Sequence, residues 1–179
     1  HHDEHHDEHD HGNLTHDPHV WSSPLNMLAM ADNIYGALEQ KQLLTDGSAE
    51  RLANLKSELQ KLDEDYRTAL TGCQANTALI SHNSLAYLED LYSFDLTSIM
   101  GLSSLDRLSL KNLRDLQNVK TNAVLIEALE NQEYAETLKK DMNLNSFVVY
   151  NMSKQVDGLD YMAMQYKNLE SLKLALECL

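Results

Sequence analysis

Long apolar runs are missing from this sequence. No stretch approaches the roughly 18 consecutive apolar residues that a membrane-spanning helix needs, so the chain is not expected to insert directly in a membrane. Basic residues are also few, 14 against 28 acidic, for a formal charge of −14. Nucleic acid and anionic membrane surfaces both require clustered Lys and Arg, so neither is expected as a partner. Metallohydrolase chemistry would need a helical HExxH or similar compact motif, or a convincing acid/base pair, and neither appears. The two cysteines, Cys73 and Cys178, have no CxxC spacing. Composition alone leaves them open between buried thiols and a disulfide. No signal peptide is visible, and a chain that opens on His1 is expected to be a processed product or a fragment.

What is present is a core-forming chain of 179 residues, 42% hydrophobic, with an unusual beginning. Eight of the nine histidines fall within residues 1–19 and the ninth is His82. Residues 1–16 alternate His with Asp and Glu. They cannot bury apolar surface and read as a flexible acidic loop. Its His1, His2, His5, His6, His9, His11 and His16 suit weak, multi-site capture of divalent metal.

From Pro24 the periodicity becomes helical, with Leu25, Leu28, Ala31, Ile34, Tyr35 and Leu38 at spacings of three and four. Just upstream, "HVW" at 19–21 reads as a strand fragment with no sheet of its own. That implies a missing preceding lobe. A second helix is expected from about 49 to 70, with Leu52, Leu55, Leu59, Leu62, Tyr66 and Leu70 as one stripe and Gly72 as its stop. Short apolar strands then alternate with helices. Strands are expected at 77–81, 95–100, 123–127 and 146–150, and helices at 83–92, 107–119, 132–142 (Tyr134 and Leu138 inward) and 160–176. This pattern predicts an α/β unit with a four-stranded parallel sheet and helices on both faces.

Metal chemistry is the functional signal. His19 follows Asp17-Pro18, a stiff extended dipeptide. His82 directly follows the first strand and Glu127 ends the third, the strand ends at which open parallel sheets bind ligands. Imidazole and carboxylate together suit Zn2+. Plainer readings exist for each: a core or capping histidine, a helix-cap glutamate, a surface-loop histidine, and an expression tag for the head, although tags are usually uninterrupted histidine.

The stretch "HDPHVWSSPLNMLAMADNIYGAL" resembles the D/N-P-H-x-W-x-S-P segment and following helix of the periplasmic zinc-binding proteins of ABC transporters, the ZnuA/TroA-like (cluster A-I) solute-binding proteins. "SHNSLAYLEDLYSFDL" resembles their H-D-A-F-x-Y-x-x-x-x-Y-G-L motif, and "VLIEALENQEYAETLKKDMNL" their strand ending in Glu. The acidic His-rich loop before the first motif is typical of the zinc-specific branch. The sequence departs from the pattern at Asn83-Ser84-Leu85, at Ser93 in place of Gly, and at Asn151 or Met152 where some members carry an aspartate.

The resemblance implies two α/β lobes joined by a long rigid helix, with metal in the cleft between them. Residues 1–16 would be the His-rich loop and 17–44 (strand and helix) the end of a mostly absent N-terminal lobe. Residues 45–72 would be the linker helix and 73–179 the C-terminal lobe. It implies a monomeric, non-enzymatic, periplasmic (or extracellular, membrane-associated) subunit. That subunit would take Zn2+, or Mn2+ or another divalent ion, on His19, His82 and Glu127 and pass it to an ABC permease. Outside the cytoplasm, Cys73 and Cys178 are expected to pair. The competing functions are a zinc hydrolase using the same three residues and an adhesive module that binds metal incidentally.

Overall fold

The computed structural model describes residues 16–99, 116, 118–129 and 133–178, and of 133–135 and 138 the backbone alone. Most of the helix expected at 107–119, the inward roles of Tyr134 and Leu138, and the His-rich head apart from His16 lie outside these residues.

Helix α1 spans Pro24–Gln40 and begins as its sequence dictates. Ser23 caps it by accepting from Asn26 N at 3.2 Å, and Pro24 stands at the first position. Helix α2, Ser48–Ala69, lies where the second helix is expected and packs against α1. Its stripe is buried only in its second half: Leu59, Leu62 and Tyr66 are fully enclosed, whereas Leu55 is exposed.

Four strands follow: β1 Thr77–Ile80, β2 Asp95–Ser98, β3 Ala123–Glu127 and β4 Asn145–Val149. They form one all-parallel sheet in the order β2-β1-β3-β4. The described helices of this part are α3 Ala86–Tyr92, α4 Glu133–Met142 and α5 Tyr161–Ala175. Strand residues alternate between two cores, as a period of two requires. Ala78, Ile80, Leu96, Ala123 and Leu125 pack with Leu62, Tyr66, Leu88, Leu169 and Leu172 from α2, α3 and α5. Leu79, Val124 and Ile126 face the opposite side with Ile99, Leu116 and Leu144. Burial on both faces is why the strands read as continuous apolar runs.

One expectation is corrected. The "HVW" segment is not a strand: Val20–Ser22 is a 3-10 turn. The reason is local. Asp17 Oδ1 accepts His19 N at 2.9 Å, Pro18 O accepts Val20 N at 2.8 Å, and His19 O accepts Ser22 N at 3.0 Å. With the His19 and Val20 donors taken up by a side chain and a turn, the segment is held without a neighbouring strand. The missing-lobe argument built on that strand therefore loses its basis.

Candidate metal centre

The topology brings the expected residues together. From β1 the chain steps to β2 on one side, then returns to β3 on the other, so the order reverses between β1 and β3. Parallel sheets open a ligand crevice at the carboxyl ends of strands at such a point. His82 lies just past the end of β1 and Glu127 is the last residue of β3. His82 Nδ1 and Glu127 Oε2 are 3.3 Å apart. The turn before α1 brings His19 to the same place, with its ring centroid 4.9 Å from that of His82. All three side chains are buried, His19 at 8% exposure, His82 at 5% and Glu127 at 1%.

Each imidazole has a carboxylate on the same ring nitrogen. His19 Nδ1 lies 2.6 Å from Asp17 Oδ1, and His82 Nδ1 faces Glu127. A carboxylate oxygen accepts, so these two contacts fit the tautomer with the proton on Nδ1 of each ring. This is the arrangement in which an outer carboxylate orients a metal-binding histidine. Asp17 Oδ2 is buried without a hydrogen-bond partner, which adds negative potential beside His19.

Glu127 is held from several directions. Ser84 Oγ donates to Oε1, and Asn151 Nδ2 donates to Oε2 at 3.0 Å. Its backbone N donates to Ser81 Oγ at 3.1 Å, which fixes the end of β3 against the end of β1. Among the described residues, no three His, Cys, Asp or Glu side chains form a cluster able to hold a metal. His16 is exposed, and the other head histidines lie outside the description.

Several of these partners were missed in the sequence. Asp17 was noted only for its proline, although an Asp two residues before a His is the spacing of an Asx turn. Ser84 looked like a mere departure from a motif. Tyr87, whose hydroxyl donates to Asp17 O at 2.8 Å, carried no local signal.

The family model described as "ZnuA: Zinc-uptake complex component A periplasmic" matches residues 1–175. The chain belongs to the ZnuA family. Among curated relatives, the zinc-binding protein AdcA of Streptococcus pyogenes serotype M3 is 27% identical over 200 residues, covering 97% of this chain and 38% of that protein. The zinc-binding lipoprotein AdcA of Streptococcus pneumoniae is 27% identical over 184 residues, covering 93% and 36%. The chain thus spans under two fifths of the curated relatives it matches. The Zn(II)-bound ZnuA-like domain of S. pneumoniae AdcA superimposes with a TM-score of 0.70 at 24% identity, over 90% of this chain and 64% of that one. The laminin-binding protein Lbp of S. pyogenes gives 0.77 at 21% identity, over 89% and 65%. At these identities the two structures support the fold: an α/β unit with a parallel sheet, preceded by a long helix. The disulfide expected from the family resemblance is present, joining Cys73 and Cys178.

Proposed function

We propose that this chain is the zinc-holding part of an extracytoplasmic solute-binding protein that captures Zn2+ and delivers it to the membrane permease of an ABC importer. One observation carries the reading: two buried imidazoles from separate segments meet at 4.9 Å, each held on Nδ1 by a carboxylate. In this assignment the metal binds at Nε2 of His19 and of His82, and Glu127 orients His82 rather than binding metal directly. Imidazole nitrogen suits Zn2+, whereas Mn2+ favours carboxylate and water oxygen. Zinc is therefore cargo here, and the His-rich head feeds the site.

The reading is of a binding protein and not of a hydrolase. Glu127, the carboxylate that meets His82, is engaged by a hydroxyl and an amide and is poorly placed to act as a general base on a metal-bound water. The family description, the lipoprotein relative and the disulfide support a location outside the cytoplasm.

The test is competition for Zn2+ against a chelator of known affinity. His19→Ala and His82→Ala are each expected to weaken binding by more than about tenfold, the least that loss of even an outer partner costs. If both variants bind zinc as the unmodified protein does, the assignment is wrong.

A further inference from the structure

Orientation and register are separate requirements for a two-histidine site. Asp17 and Glu127 orient the rings, but neither fixes one ring relative to the other, because His19 precedes α1 and His82 follows β1. Among the described residues, Asn151 hydrogen-bonds to a group on each side. Asn151, in the loop after β4, donates from Nδ2 to Glu127 Oε2 at 3.0 Å, the oxygen that also faces His82 Nδ1. Its backbone carbonyl accepts Trp21 Nε1 at 2.7 Å. Trp21 lies two residues beyond His19, and the two rings meet edge to face at 5.6 Å.

The surroundings fix both bonds. Asn151 Oδ1 accepts Ser153 N at 3.0 Å and Ser153 Oγ at 2.8 Å, so the amide can present only its donor end to Glu127. The turn carrying Trp21 is anchored by α5: Tyr161 Oη donates to Trp21 O at 2.9 Å, and Gln165 Nε2 donates to Ser22 O at 2.7 Å. An aspartate in place of Asn151 would set two carboxylates against each other at this contact, which disfavours having both ionised. An amide joins the same position without that conflict.

We infer that Asn151 is the positioning residue that sets the spacing between His19 and His82, with Trp21 as its partner on the His19 side. The inference rests on the zinc reading above. It makes Asn151 a joint and not a ligand, and it gives the tryptophan of this turn a role in metal affinity beyond packing.

The experiment is a double-mutant cycle on zinc affinity, measured by chelator competition well below the melting temperature of every variant. Trp21→Phe keeps the aromatic packing and removes the Nε1 donor. Asn151→Ala removes the bond to Glu127 and keeps the backbone acceptor. Each single change is expected to weaken zinc binding about tenfold, as loss of an outer partner does. The double variant should be no weaker than the worse single, because both break one joint. A purely structural role would lower thermal stability and leave the affinity of the folded protein unchanged. If Trp21→Phe and Asn151→Ala bind zinc normally while His19→Ala and His82→Ala do not, the joint is refuted and the zinc site stands. If the two effects multiply, the residues act independently and the joint is likewise refuted. If the histidine variants also bind normally, the zinc reading fails and the joint falls with it.

Discussion

Ser93 shows how one residue carries a backbone requirement. It ends α3 in the left-handed region, at φ 61° and ψ 52°, and its N–H closes the helix on Glu89 O at 2.8 Å. A side chain in that region is strained by roughly 1–2 kcal/mol, and glycine is not. Glycine also gives the unfolded chain more freedom, which offsets part of the gain. Ser93→Gly is therefore expected to stabilise the protein by about 0.5–1 kcal/mol, read as a higher denaturant midpoint with an unchanged slope. An equal or lower midpoint would show that the serine side chain contributes something the backbone argument omits. The histidines belong to the same scale. The places of His19 and His82 in the fold were legible from one stiff dipeptide and one strand end, because those signals are local. The part of Ser84 was not, since it depends on β3 lying beside β1.

At the scale of elements, the strands were legible to within a residue or two because each is a short apolar run buried on both faces. The "HVW" segment was misread because three residues carry no period, and Asp17 decided the local geometry. The stripe of α2 was read correctly as a pattern, but the sequence did not show that Leu55 in its first half would stay exposed. Where α2 meets α5 the contact is polar and buried: Tyr66 Oη donates to Gln165 Oε1 at 3.0 Å, and Gln165 Nε2 donates to Tyr161 Oη at 2.8 Å. Burial pushes the Tyr161 phenol from 10.0 up to about 12 and Tyr66 well above its ordinary value. In the unfolded chain both ionise near pH 10. The folded state then holds more protons than the unfolded state as pH rises past 10, so stability falls with pH there. Denaturant midpoints should be level with respect to these groups from pH 8 to just below 10, and decline from 10 toward 12. A midpoint that holds steady through pH 11 would mean that these phenols ionise alike in both states.

At the scale of the whole molecule, the sheet separates two tasks. The carboxyl ends of β1 and β3 carry the histidine site, while the chain entering the amino end of β1 carries the disulfide. Cys73 and Cys178 close a loop with a sequence separation of 105. The same junction is backed by Ala75 N donating to Leu176 O at 3.0 Å and Gln74 N to Glu177 O at 3.3 Å. Beside it lies a cleft of about 440 Å³ whose walls include Arg67, Cys73 and Tyr92. A cross-link of this span restricts the unfolded chain most, and in the chain-entropy model it contributes up to about 4–5 kcal/mol. Replacing both cysteines by serine should therefore lower the unfolding free energy by a large part of that amount. Zinc affinity, measured well below the melting temperature, should stay within about twofold of the parent, because sites that share no partners behave additively. A variant that lost zinc affinity while remaining folded would show that the two ends of the sheet are coupled. A variant with undiminished stability would show that the backbone bonds at Gln74 and Ala75 hold the junction without the disulfide.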